Sequence, residues 1–287
     1  MPVARIGVIG GSGLYQMEGM KDAQEVEIET PFGAPSDAIV IGTLEGQRVA
    51  FLPRHGKGHR ISPSELPVKA NIFAMTTLGV EYLISISAVG SLREEIRPLD
   101  LVVPDQLIDR TKGRPSTFFG NGLVAHVGMA DPFCPVLSGA LVKSAKAAKA
   151  TVRQGGTYVV MEGPQFSTRA ESNLYRSWGA SVIGMTALPE AKLAREAEMC
   201  YAILACSTDY DCWHDGHESV TVDMVVRNLL QNVSTAKSVL KRLLTTLPAK
   251  RTCACGSALK NAIITAPERI PARARAELAP LIGKYLK

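Results

Sequence analysis

Hydrophobic positions fall into short blocks that alternate with amphipathic stretches along most of the chain. Residues 3–9 predict a buried strand that ends in the turn Gly10-Gly11-Ser12-Gly13. Residues 38–43 and 47–52 predict a hairpin across Leu44-Glu45-Gly46. In Ser62-Pro63-Ser64-Glu65 a serine stands three residues before a glutamate, the pattern of a capping box, and a proline occupies the first helical position. A helix start is therefore predicted there, ahead of a helix over 68–78. A strand over 82–88 and an Ala/Lys-rich helix over 136–150 follow. From 157 the pattern alternates regularly: strand 157–161, helix 169–178, strand 181–185, helix 189–198, strand 201–208. Between 220 and 244, Val222, Val225, Val226, Leu229, Leu230, Val233, Leu240, Leu243 and Leu244 recur at helical spacing and predict one long helix across a sheet. This order predicts an α/β fold, a single domain with a mixed, twisted central sheet flanked by helices. Residues 248–287 are expected to form a C-terminal extension packed on that domain.

Composition narrows the class. The 287 residues suffice for a large core, and 46% apolar with 21% charged residues excludes a disordered chain or a small disulfide scaffold. The net charge of +5 is spread along the chain and aromatics make up only 6%, which favours a small anionic substrate over nucleic acid. No cationic leader precedes a long apolar block and no apolar run approaches a membrane span, so a cytoplasmic protein with no membrane partner is expected. Cys134, Cys200, Cys206, Cys212, Cys253 and Cys255 are expected to be reduced thiols. Cys253-Ala254-Cys255 is too closely spaced for a zinc half-site with a two-residue gap, and no second cysteine pair is near it in sequence; no metal is expected.

The candidate chemistry gathers at the ends of predicted strands. The turn at 10–13 lacks the Gly-x-Gly-x-x-Gly spacing of a dinucleotide fingerprint, since position 16 is Gln, but its N–H groups and the Ser12 hydroxyl suit an anion. Pro53-Arg54-His55-Gly56 and Ser87-Ala88-Val89-Gly90-Ser91 repeat the arrangement, with paired guanidinium donors at Arg54 fitting phosphate oxygens. Open α/β sheets bind ligands at such strand ends. Phe166, on the loop Glu162-Gly163-Pro164-Gln165-Phe166-Ser167, offers a flat face to a base. Met185 and Thr186 end the next strand and suit a sugar and a phosphate. Asp209 and Asp211, two apart on extended chain, are expected to face the same way, where burial and mutual repulsion would raise one pKa and keep a proton for general acid catalysis.

Together, Gly10-Gly11-Ser12-Gly13-Leu14, Pro53-Arg54-His55-Gly56, Ser91-Leu92-Arg93-Glu94-Glu95-Ile96, Asp131-Pro132-Phe133-Cys134-Pro135, the run from Glu162 to Ser172 and Thr208-Asp209-Tyr210-Asp211-Cys212-Trp213-His214 resemble the purine nucleoside phosphorylase superfamily, in its methylthioadenosine-cleaving branch. The resemblance runs in order from residue 6 to about 245. It implies phosphorolysis of a purine nucleoside in purine and methionine salvage, with inorganic phosphate as co-substrate and no cofactor. A 6-oxopurine or methylthioinosine substrate is the alternative within the superfamily. The implied phosphate site comprises Ser12, Arg54, His55, Ser87, Ala88 and Thr186. Met185 is implied to touch the sugar, Phe166 the base, and Asp209 and Asp211 the purine edge. Ser167 and Val222 are implied to occupy positions that help set substrate choice. His126 resembles a histidine that reaches into a neighbouring subunit's site, implying a homo-oligomer, a trimer or a hexamer built from trimers.

Overall fold

The computed structural model describes residues 3–11, 14, 17–214 and 222–286, with the side chains at 222–225 and 229 outside that description. Its strands are β1 (Ile6–Gly10), β2 (Lys21–Val26), β3 (Ile39–Leu44), β4 (Gln47–Pro53), β5 (Tyr82–Ser91), β6 (Leu101–Val103), β7 (Gln106–Arg110), β8 (Val152–Gln154), β9 (Thr157–Met161), β10 (Val182–Gly184) and β11 (Cys200–Asp209). The main helices are α1 (Val68–Thr77), α2 (Pro135–Ala147), α3 (Arg169–Ser177), α4 (Ala187–Glu196) and α5 (Val222–Thr246).

All the strands join one mixed sheet. Its path runs β2-β3-β4-β1-β5-β10-β9-β7, and β11 lies between β5 and β6, with β8 beyond β6. Strand β5 is the branch point. Its first half pairs in parallel with β1 on one side, and on the other β11 runs parallel along it from Tyr82 to Gly90, while its end at Gly90-Ser91 pairs antiparallel with β10. The central strands are buried on both faces, which is why they read as apolar runs rather than as a clean alternation. Along β11, Tyr201, Ile203 and Ala205 enter one core with α1 and α4, while Cys200, Ala202, Leu204 and Cys206 enter a second core with α2 and α5. Leu259, Ala262, Ile270, Leu278, Leu281 and Ile282, from beyond residue 248, are buried in the first of these cores.

Local chemistry accounts for the joints. The β3–β4 hairpin turns on Glu45 and Gly46, at φ 49° and 75°, the two left-handed positions of a type I′ turn. The capping box at Ser62 is present, but it closes a single 3₁₀ turn over Pro63–Glu65 rather than opening α1. Pro67 separates the two, since the residue before a proline is biased away from helical angles.

Candidate active site

A cavity of about 320 Å³ opens where the sheet divides. Residues after β1 (Gly11, Leu14), after β4 (Arg54, His55), along the second half of β5 (Ile86 to Gly90), after β9 (Pro164, Phe166), at the end of β10 (Ile183 to Thr186) and at the end of β11 (Asp209, Asp211) line it. The cavity thus takes the carboxyl ends of several parallel strands. Of the predicted site residues, Arg54, His55, Ser87, Ala88, Phe166, Met185, Thr186, Asp209 and Asp211 meet here. Ser12 and the side chain of Val222 lie outside the described residues.

Hydroxyl groups gather at one end of the cavity. The Ser87, Thr186 and Tyr158 hydroxyls are buried near one another, yet none reaches a partner at hydrogen-bond geometry. Buried hydroxyls without partners are rare, and those of Ser87 and Thr186, which line the cavity, can donate to a ligand. Tyr158 carried no signal in the sequence beyond an apolar strand. Gly184 does: a Cβ there would collide with the Tyr158 ring.

His55 is neutral at physiological pH, because burial and then the neighbouring Arg54 charge lower its pKa to about 4. Its Nδ1 lies 2.8 Å from the Ile61 carbonyl, which can only accept, so Nδ1 carries the proton and Nε2 offers a lone pair. That lone pair suits the hydroxyl of a hydrogen phosphate. The ring stacks on His59 with centroids 4.2 Å apart.

Arg54 departs from expectation. Its paired edge does not face the cavity: Nε donates to Glu190 Oε1 at 2.5 Å, and Nη2 to Ser85 Oγ at 2.6 Å, with Ile9 O and Glu190 Oε2 beyond. Nη1 donates to Ile86 O at 3.0 Å. Of the guanidinium's five N–H groups only one on Nη1 is left for a ligand, so Arg54 offers a charge and a single donor rather than a fork. Glu190 in the first turn of α4, which also accepts from Tyr201 Oη at 3.0 Å, is the partner that sequence reasoning missed.

At the other end lie the two aspartates. They do not share a face through strand pleating. Asp211 has φ 51°, and a register shift interrupts the β11–β5 pairing between Ser207 and Asp209. A bulge of this kind re-aims a side chain, here into the cavity. The Asn228 and Asn232 side chains of α5 donate to the carbonyls of Thr208 and Ser207 at 2.6 and 2.9 Å and hold the irregular stretch. Trp213 pins the following turn by donating to Ser91 O at 2.8 Å. Burial raises the pKa of Asp209, opposed by the Thr208 hydroxyl and the Asp211 N–H and reinforced by the Asp211 charge. Burial also raises that of Asp211. Both carboxyls are thus shifted, where mutual repulsion alone would have favoured one.

Gly90 makes room for this pair, since a Cβ would stand 2.9 Å from Asp209 Oδ1 and 3.2 Å from the Asp211 Cβ. Gly90→Ala should displace both carboxyls and lower kcat/KM by roughly 10–100-fold, within the range of about 1–3 kcal/mol for overpacking. Unchanged steady-state kinetics would show that the close approach is unimportant.

The remaining predicted residues sit off the cavity wall. The Ser167 hydroxyl lies close enough to the Asp211 carboxyl to oppose the rise in its pKa, and approaches Met161 Sδ at 3.5 Å. His126 is exposed and joins the C-terminal segment through its N–H to Ala262 O at 2.8 Å. Arg114 was not foreseen. Its side chain is almost fully buried and ties the Phe166 loop to the β10 end, with Nε on Glu162 Oε1 at 3.0 Å and Nη1 on the carbonyls of Met185 and Leu188 at 2.7 and 2.9 Å. Val233 of α5, with Leu14, Ile86 and Cys206, adds an apolar wall.

The cavity sets buried hydroxyls beside a carboxyl pair at the strand ends of a divided α/β sheet, and the chain belongs to the phosphorylase superfamily, whose model matches residues 5–245. It is 58% identical to the S-methyl-5'-thioadenosine phosphorylase of Koribacter versatilis, covering 98% of this chain and 97% of that one. It is also 58% identical to the protein of the same name from Gloeobacter violaceus, covering 99% and 97%. Among solved structures, a methylthioadenosine phosphorylase from an antarctic soil metagenomic library matches with TM-score 0.93 at 50% identity, over 98% of this chain and 99% of that one. The Schistosoma mansoni methylthioadenosine phosphorylase in complex with adenine matches with TM-score 0.82 at 34% identity, over 90% and 98%.

Proposed function

We infer that this chain catalyses the phosphorolysis of S-methyl-5'-thioadenosine to adenine and 5-methylthioribose 1-phosphate. The observation that carries the reading is the pairing, within one cavity, of partnerless buried hydroxyls at Ser87 and Thr186 with the buried carboxyls of Asp209 and Asp211. The two bacterial relatives described above bear the name S-methyl-5'-thioadenosine phosphorylase and are matched over 97% of their length, which supports the reading.

Phosphate sits against Ser87, Ala88, Thr186, His55 and the one spare donor of Arg54; Ser12, outside the described residues, is assigned to the same anion from the sequence. One of its oxygens attacks C1' of the sugar as the bond to N9 breaks, through a transition state with oxocarbenium character. The electron pair of that bond flows into the purine, and Asp209 delivers its proton to N7. Ionised Asp211 accepts from the 6-amino group, while a 6-oxo base would set a carbonyl lone pair against it. Phe166 covers the base and Met185 the sugar. Inorganic phosphate is a co-substrate, and the scheme uses no cofactor. His126, on the surface, is proposed to complete the site of a neighbouring subunit in a trimer or hexamer.

Release of base from methylthioadenosine, adenosine, inosine and guanosine, each with and without phosphate, tests the reading. Turnover should require phosphate and favour the adenine nucleosides. The apolar wall at Leu14, Ile86 and Val233 favours a methylthio over a hydroxyl 5' substituent, by about 1–3 kcal/mol in kcat/KM. Equal kcat/KM for adenosine and methylthioadenosine would refute the 5' preference, and faster cleavage of inosine would refute the base assignment.

A further inference from the structure

Four cysteines from three separate parts of the chain meet at one point remote from the cavity. Cys134 caps α2, Cys200 begins β11, and Cys253 and Cys255 flank Ala254 in the C-terminal segment. Their Sγ atoms all lie within 4.8 Å of one another, and those of Cys200 and Cys253 are 3.2 Å apart. Cys200 pairs with Tyr82 at the start of β5, whereas Asp209 pairs with Gly90 near its end, so the cluster and the cavity occupy opposite ends of the same strands.

We propose that Cys134, Cys200, Cys253 and Cys255 bind one zinc ion as a closed tetrahedral thiolate site that fastens the C-terminal segment to α2 and β11. A single buried cysteine is merely a small apolar side chain. Four that converge on one centre call for a different account. Disulfides would draw sulfurs together two by two, whereas here each sulfur is close to the other three. Zinc–sulfur bonds of about 2.3 Å in a tetrahedron place the sulfurs roughly 3.8 Å apart, the scale of this cluster. Four soft sulfur donors in that arrangement select zinc or an iron–sulfur centre over hard cations.

The surroundings favour thiolates. Leu137 N–H approaches Cys134 Sγ at 3.5 Å in the first turn of α2, where the helix dipole favours negative charge. The Arg251 guanidinium lies against Gly256, beside Cys255: a Cβ at Gly256 would be 2.8 Å from its Nη2. Cys134 N–H donates to Tyr201 O at 2.8 Å and Ala258 N–H to Cys255 O at 3.3 Å, which fixes the backbone on both sides. Three of the thiols are buried and Cys253 is half-exposed, giving the ion a side from which to enter. Binding replaces four S–H protons by one divalent cation and releases those protons to solvent. Sequence spacing hid the site because the partners of Cys253 and Cys255 come from distant segments.

The full chain, purified under reducing conditions with zinc supplied and then dialysed, should carry about one zinc per chain by mass spectrometry of the metal. Its cobalt(II) form should show sulfur-to-cobalt charge-transfer bands and the visible bands of tetrahedral cobalt. Cys253→Ser should hold zinc at least about tenfold more weakly against a chromophoric chelator, whereas Cys212→Ser should hold it as tightly as the unsubstituted chain. Absence of zinc overturns the proposal, whether all the thiols react freely or four react only after reduction. So does zinc held equally by Cys253→Ser. Metal content and cobalt spectra of the unsubstituted chain decide the matter even where a variant fails to fold.

Discussion

Asp209→Asn is expected to lower kcat on S-methyl-5'-thioadenosine by roughly 10²- to 10⁴-fold, the usual contribution of a positioned general acid. The amide keeps the shape of the side chain and can still donate a hydrogen bond to N7, but it cannot transfer a proton. Geometry favours a clean substitution, since Asp209 Oδ2 takes the Thr208 hydroxyl at 2.6 Å and Oδ1 the Asp211 N–H at 2.8 Å, contacts an oriented amide can partly keep. The pH dependence follows from the raised pKa. The acid form of Asp209 persists to higher pH than that of an ordinary aspartate, and kcat should fall as pH rises through its folded-state pKa. That alkaline limb should vanish in Asp209→Asn. Stability moves with the same sign: the folded state binds more protons than the unfolded state between the two pKa values, so its stability declines as pH rises across that window. Above that folded-state pKa, where the buried charge opposes folding, Asp209→Asn should therefore melt above the unsubstituted chain, and the gain should shrink as pH falls through that pKa and disappear at acid pH. The substituted chain should also discriminate less against 6-oxo nucleosides. An Asp209→Asn protein with unimpaired kcat would remove Asp209 from the proton-transfer step.

Much of this site could be read before the fold was known, for a physical reason. The cavity forms at strand ends, and strands buried on both faces, such as β1, β5 and β11, announce themselves as apolar runs closed by small or polar residues. The cavity-lining residues stand at the ends of those runs or directly after them. What stayed hidden depends on contacts distant in sequence. Glu190 looks like any acidic residue in a first helical turn until β4 brings Arg54 against it. Arg114 lies in an irregular stretch with no periodicity, and Tyr158 is hidden in a run of buried β9 residues. The bulge that aims Asp209 has no local sequence mark, because it arises from the pairing of β11 with β5. Among the strands, β2 was missed because its exposed edge position allows a polar sequence, Lys21-Asp22-Ala23-Gln24-Glu25. Strands β6 and β8, of three residues each, are too short to establish a pattern.

The largest effect on stability is expected at Arg54, where structural and ligand roles overlap and must be separated. Arg54 and Glu190 are each 1% exposed and meet at 2.5 Å. Burial works against the Arg54 charge, but the Glu190 carboxylate outweighs it and leaves the guanidinium more firmly protonated than usual. Arg54→Ala strands a buried carboxylate, and removing one partner of such a pair costs about 3–5 kcal/mol, so thermal denaturation should show a fall of order 10 °C. Loss of activity in that variant alone would say little about phosphate. Replacing the pair together, as Arg54→Met with Glu190→Leu, removes the stranded charge and should recover most of the melting temperature. It cannot restore the Nη1 donor. A charge-assisted hydrogen bond contributes about 1.5–3 kcal/mol, so the phosphate KM of the double variant should remain raised by roughly 10- to 100-fold while the nucleoside KM changes far less. Arg54→Lys should fall between the two: one ammonium keeps the charge near Glu190 but cannot also span Ile9 O, Ile86 O and Ser85 Oγ. If the double variant regains both its melting temperature and its phosphate KM, Arg54 serves the fold alone, and the anion cradle consists of Ser87, Thr186, His55 and the turn after β1.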